Sequence, residues 1–258
     1  MSENLLPVLI RSLLQERPDL HADFAALPDD RAEQLRIYRS LVNIRPAMPA
    51  SADFLRAEDT FLQAETAAKG ITDYHDLTPA EPHIYLWRGD ITTLRCGAIV
   101  NAANSGMTGC WAPCHTCIDN CIHTYAGVRL RIECDRQMRA QGHEEPTGRA
   151  RLTPAYNLPC EWVIHTVGPI VEDALTDRHR ALLRSCYESC LRCAAENQIE
   201  SIAFCCISTG VFGFPKQPAA EIAVQTVRDF CKAHDLNVIF NVFSESDHAL
   251  YRRILTQS

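Results

Sequence analysis

The chain has 258 residues, of which 47% are hydrophobic and 22% charged, with a formal net charge of −7. That length holds one large core, or one domain of ordinary size with an extension. The acidic balance argues against a nucleic-acid binder that works through a general basic surface. The first apolar run, LLPVLIRSLL, is interrupted by Arg11 and followed by acidic residues. It carries no small-residue cleavage pattern, so no signal peptide is expected. No apolar run approaches the roughly 18 residues of a membrane span. No membrane association is therefore expected, and the cytoplasm is the expected location.

In chain order, apolar residues recur at helical spacing over 3–15 and 30–42. SADFLRAEDTFLQAETA, residues 51–67, reads as a third helix with Ser51 or Asp53 as its N-cap. No glycine precedes Gly70, and the stretch 68–80 is the expected junction. From residue 82 the texture changes. HIYLWRGDI reads as a strand ending at a Gly89-Asp90 turn, and CGAIVNAAN as an apolar strand with a polar end. Residues 117–141 have the length and periodicity of one long helix, and WVIHTV, residues 162–167, is a strand. A helix over 177–197 places Leu182, Leu183, Cys186, Tyr187, Cys190, Leu191 and Ala194 on one face. Then come strand 201–208, the loop TGVFGFP, helix 217–233, strand 237–243 and a last helix over 246–256. Short apolar strands alternating with helices imply an α/β fold with a mostly parallel sheet covered on both faces. In such sheets the ligand crevice lies at the carboxyl ends of the strands. Four polar ends, Gly89-Asp90, Asn101 to Asn104, Gly168-Pro169 and Ser208 to Pro215, are expected to converge there.

Thirteen cysteines are many for a chain that is neither short nor visibly secreted. Cys186, Cys190 and Cys193 fall in a helical pattern and Cys205 and Cys206 at a strand end, where cysteine serves as a small buried hydrophobe. The loop Gly109-Cys110-Trp111-Ala112-Pro113-Cys114-His115-Thr116-Cys117 differs. Thiolate and imidazole are preferred zinc ligands, and a site with three protein ligands keeps a position for water or substrate. Cys110, Cys114, His115 and Cys117 are the candidates, or the loop is redox-reactive. No second knuckle stands elsewhere, because Cys190 and Cys193 lie inside an apolar helix pattern; this favours an open site.

Other motifs each carry two readings. Gly210-Val211-Phe212-Gly213 is a βα turn, or a loop whose N–H groups cradle phosphate at a helix N-terminus. Phe212 is a core plug or a stacking surface. Asp90 is an N-cap, or an acceptor for an exocyclic amine such as that of adenine. Asn101 and Asn104 are turn residues, or groups that meet sugar hydroxyls. Asp119 is a first-turn acid, or a carboxylate at a cleft rim that orients or deprotonates water. His123, one turn into the helix, reads as a structural histidine.

As a set, these motifs resemble the macrodomain family. The matching segments are Gly89 to Thr92, Ala98 to Asn104, Cys117 to Gly127, Val163 to Pro169 and Ser208 to Pro215, in the family's order. Where hydrolases of that family usually keep a glycine-rich loop, this chain has the cysteine loop, and so resembles the zinc-dependent branch. The resemblance implies a three-layer α/β/α sandwich with a mixed, mostly parallel sheet over 76–258, preceded by a helical extension over 1–75. It implies zinc held by Cys110, His115 and Cys117, with Cys114 an extra. Asp90, with Ile91 beside it, would serve the adenine, and the amides of Ser208, Thr209, Gly210, Val211 and Phe212 the diphosphate. Asn101 and Asn104 would face the distal ribose, with Phe212 packing beside it. Asn104 and Asp119 would be catalytic. The implied activity is zinc-dependent removal of mono-ADP-ribose from acidic side chains of proteins, with a lipoyl-carrier-type protein as partner. A non-catalytic ADP-ribose reader and an O-acetyl-ADP-ribose deacetylase are the alternatives.

Overall fold

A computed structural model describes residues 5–20 and 26–257. The chain opens with three helices, α1 (Leu5–Gln15), α2 (Arg31–Ile44) and α3 (Ala52–Lys69). Residues 3–4 of the expected first helix lie outside the described residues. Asp30 caps α2 by accepting from Glu33 N at 2.8 Å, and Ser51, one of two candidates, caps α3 by accepting from Phe54 N at 3.1 Å. The apolar stripes of the three helices face one another. Leu6, Leu9 and Leu13, Tyr38 and Leu41, and Phe61 and Leu62 form a core of their own, which Val128 joins from outside.

The remaining elements are β1 (Thr72–Asp73), β2 (Pro79–Glu81), β3 (Ile84–Arg88), β4 (Leu94–Arg95), β5 (Ala98–Ala103), α4 (Ile118–Ala126), α5 (Val128–Gln141), β6 (Ala150–Pro154) and β7 (Trp162–Val167), followed by α6 (Asp177–Glu196), β8 (Ser201–Phe204), α7 (Lys216–Cys231), β9 (Asn237–Val242) and α8 (Glu245–Thr256). β1 and β4 form a small parallel pair, and the other strands a seven-stranded sheet in the order β2-β3-β9-β8-β5-β7-β6. Its five central strands are parallel and its two edge strands antiparallel. The sheet is therefore mixed and mostly parallel, as expected. Successive residues of β7 point to opposite faces. His165 meets Cys134 of α5 at 3.9 Å, while Thr166 lies at Cys186 of α6, so helices cover both faces in three layers. Among the described residues, no helix is long and apolar enough to cross a membrane.

Three expectations needed correction. The helix expected over 117–141 is two helices, because Gly127 has φ 89° and an added Cβ would stand 2.7 Å from Glu58 Oε2. Strand β6 is absent from the sequence reading: it is an edge strand with a half-exposed pattern and no clean alternation. Strand β8 stops at Phe204 instead of continuing to 208: the chain leaves the sheet there and turns at Ile207-Ser208, where Thr209 N donates to Cys206 O at 3.3 Å and Ser208 has φ 64°.

Candidate active site

The five parallel strands all end on one side of the sheet, which brings the four polar ends together. At β3, Gly89 N donates to Val242 O at 3.1 Å, which sets Phe243, the residue after β9, one position beyond the last strand pair, Arg88 with Val242, at the Gly89-Asp90 turn. Phe243 is 82% exposed, unusual for a residue that continues a buried strand. Asp90 Oδ1 accepts from Thr92 N at 3.0 Å, so the capping role is realised, while Oδ2 lies 3.2 Å from Lys69 Nζ of α3. The Ile91 side chain is buried, leaving any ligand contact there to its backbone.

The loop after β8 is held by Phe214 N donating to Ser208 O and Gly213 N to Gly210 O, both at 3.0 Å. The left-handed residues are Ser208 and Gly213; Gly210 does not have positive φ. Gly210 instead has open space where a Cβ would stand, so it leaves room for a ligand. The N–H groups of Gly210, Val211 and Phe212 meet no backbone acceptor among the described residues. Val211 is exposed, and Phe212 is half-buried with its carbonyl taking Val171 N at 2.8 Å. Gly168 packs so closely on this loop that a Cβ would stand 2.0 Å from Ser208 Oγ, a buried atom with no partner.

At the far end of β5, Asn104 Nδ2 donates to Asp119 Oδ2 at 3.2 Å and to Gly109 O at 3.1 Å. Asn101 Nδ2 donates to Asp119 Oδ1 at 2.8 Å. Asn101 is fully buried and turned toward Asp119 and His165, so its amide fixes the Asp119 carboxylate from beneath. The sequence showed two asparagines but not that both side-chain amides converge on the Asp119 carboxylate, Asn101 from within β5 and Asn104 from just beyond its end. Burial pushes the Asp119 carboxyl up to about 6, against the two amide donors that lower it. His123 Nε2 lies 3.6 Å from Asp119 Oδ1, and burial holds His123 well below the usual histidine range, so it lines the site as a neutral ring.

The cysteine loop joins this end directly. Cys110 Sγ and His115 Nδ1 are 3.7 Å apart, and the ligating atoms of Cys110, His115 and Cys117 all lie within 4.8 Å of one another. Cys114 stands apart: its thiol lies 3.2 Å from Ser40 Oγ, and its N–H donates to Asn43 Oδ1 at 2.9 Å. Two thiols and one imidazole, half-buried and converging, fit a zinc ion with one coordination position left open. A second converging group, His123, Cys134 and His165, is fully buried. There both His165 nitrogens are engaged, with Asn101 at 3.1 Å and Thr153 at 2.9 Å.

Comparison with known proteins gives this geometry a family. The family model described as Macro domain matches residues 100–223. A curated relative from Treponema medium, named Protein-ADP-ribose hydrolase, is 56% identical over 254 residues, covering 96% of this chain and 97% of the relative. The chain belongs to the macrodomain family. A second relative of the same name, from Staphylococcus aureus (strain Mu50 / ATCC 700699), is 44% identical over 98% of this macrodomain and 95% of the relative. The solved Trypanosoma brucei macrodomain in complex with ADP-ribose superposes with a TM-score of 0.64 at 33% identity, covering 83% of this macrodomain and 94% of the solved chain. Phe243 was missed in the sequence because it sits at the end of an apolar strand pattern and reads as core. Arg39, described below, lies in an extension helix with no motif around it.

Proposed function

We propose that this macrodomain removes ADP-ribose from modified proteins, cleaving the bond between the distal ribose and an acidic side chain with zinc held by Cys110, His115 and Cys117. One observation carries the reading: Asn104 Nδ2 bridges the Asp119 carboxylate to Gly109 O at the foot of the donor loop. The carboxylate and the three donors therefore belong to one site at the end of β5. The Treponema and Staphylococcus relatives, named for protein-ADP-ribose hydrolysis, support it over nearly the full chain.

In this reading the purine stacks on Phe243 and offers its exocyclic amine to Asp90. The amides of Gly210 to Phe212, at the N-terminal end of α7, take the diphosphate. That places the distal ribose over Asn104. Water adds to the anomeric carbon of the distal ribose as its bond to the side-chain carboxylate oxygen breaks; the carboxylate leaves, and Asp119, held by two amide donors, takes the proton from the water. Cys110, His115 and Cys117 would hold a zinc ion that could supply Lewis acidity to a ribose hydroxyl or the scissile oxygen, or lower the pKa of a bound water toward about 7. A lipoyl-carrier-type protein, suggested by the sequence resemblance, is the first substrate to try.

The test is release of ADP-ribose from an aspartyl- or glutamyl-modified protein by enzyme of measured zinc content, before and after chelation and after zinc is restored. Release that needs the metal supports the reading. Tight ADP-ribose binding without release makes the protein a reader, and faster turnover of O-acetyl-ADP-ribose moves the substrate to a small ester. Full activity in zinc-free protein removes the metal from the mechanism.

A further inference from the structure

The donor loop lies outside any helix or strand, and little of its own backbone holds it. Between Asn104 and Cys117 the backbone hydrogen bonds internal to the loop are Met107 N to Asn104 O and His115 N to Ala112 O. Its shape depends on side chains that reach in from outside, and several of these come from α2 of the helical extension. Arg39 Nη2 donates to His115 O at 2.6 Å and to Asn120 Oδ1 at 2.9 Å, and Arg39 Nε also reaches Asn120 Oδ1, at 3.2 Å. Asn120, fully buried, passes the constraint on: its Nδ2 donates to Ala112 O at 3.0 Å and to Cys110 O at 3.5 Å. Asn43 Oδ1 takes the Cys114 N–H, and Asn43 Nδ2 holds Thr124 of α4 at 3.0 Å. In return, Arg131 of α5 donates to Thr108 O at the start of the loop and to Val42, Asn43 and Arg45 carbonyls at the end of α2.

We infer that the helical extension is the platform that preorganises the metal site, with Arg39 as the positioning residue that sets Cys110 and His115 through the loop backbone. A planar guanidinium can bond His115 O and Asn120 Oδ1 at once, which an ammonium does with worse geometry. The backbone carbonyls it fixes belong to His115 directly and to Cys110 through Asn120. Loss of such outer partners typically costs about ten- to hundredfold in metal affinity. The inference rests on the zinc reading above.

The test uses the full chain and zinc alone as probe, in competition with a chromogenic chelator. Arg39→Ala is expected to weaken zinc binding about tenfold or more while ADP-ribose affinity stays within about twofold, and Arg39→Lys to recover part of the loss. Cobalt-loaded Arg39→Ala should show altered d–d and thiolate charge-transfer bands, which simple destabilisation of the fold would not produce. Arg31→Ala, which removes only an exposed ion pair with Glu65 in the same helical unit, should bind zinc as the parent does. If Arg39→Ala fails to fold, Arg39→Lys is read instead: a loss of about fivefold or more supports the inference, and a smaller one overturns it. Parent protein that binds no zinc refutes the metal reading; parent that binds zinc while both Arg39 variants match it refutes the platform.

Discussion

Asp119 is almost wholly out of water, yet both its oxygens are held by amide donors, from Asn101 and Asn104. Such a carboxylate is fixed in direction before any substrate arrives. Asp119→Asn keeps the shape but sets an amide against amide donors. Its turnover should fall about a hundredfold or more, the scale of a lost general base, while calorimetric ADP-ribose affinity changes little. Unchanged turnover would remove Asp119 from the chemistry. Phe243 poses the opposite case, a large ring left in solvent at the end of β9, level with the Gly89-Asp90 turn. Stacking on a base is worth about 1–3 kcal/mol, so Phe243→Ala should raise the ADP-ribose dissociation constant roughly five- to a hundredfold, with Phe243→Trp close to the parent. An unaltered constant would place the adenine elsewhere.

The junction of α3 with α5 turns on one buried carboxyl. Glu58 accepts from Tyr38 Oη at 2.9 Å and from Val128 N at 3.0 Å, the latter at the buried start of α5. Gly127 makes room for it, so Gly127→Ala adds backbone strain to a 2.7 Å collision with Glu58 Oε2. We expect a loss of at least about 2 kcal/mol in urea unfolding; a loss below the error of that measurement would show that the junction yields. Burial outweighs the two donors and pushes the Glu58 carboxyl up to about 7. The folded state therefore holds this proton where the unfolded chain releases it. Glu58 contributes its stability fully below its ordinary value near 4.5, loses it as pH rises toward 7, and changes little above that. Relative to Glu58→Gln, the parent should lose stability between pH 5 and 7.5, by an amount on the order of 2–3 kcal/mol. Parallel pH profiles for the two proteins would contradict this.

For the molecule as a whole, two large apolar cores meet along α4 and α5, one in the extension and one around the sheet, and a small third cluster of Ala103, Met107 and Val167 anchors the chain just before the donor loop. None of residues 109–117 belongs to any of the three. Chelation should therefore stop ADP-ribose release but leave the fold, lowering the thermal midpoint by only a few degrees, as loss of one ligand does. Circular dichroism that collapsed on chelation would show that the metal is needed for folding.

The sequence determined the order of most elements, the parallel centre of the sheet and the segments that end at the cleft, because hydrophobic period and turn chemistry are local properties. It also showed that Cys110, Cys114, His115 and Cys117 share a loop. Tertiary structure decided what each residue faces. It sent Asn101 inward and left Asn104 at the cleft, broke 117–141 at Gly127 to admit Glu58, exposed Phe243, and turned Cys114 toward Ser40, away from the converging donors. These outcomes depend on partners dozens of residues away, such as Asn43 for Cys114, Glu58 for Gly127 and Gly89 for the end of β9, and no local pattern encodes which of them will arrive. The cysteine loop could thus be read as a donor set from the sequence, but its hold by Arg39 of α2 exists only once the extension has packed against α4.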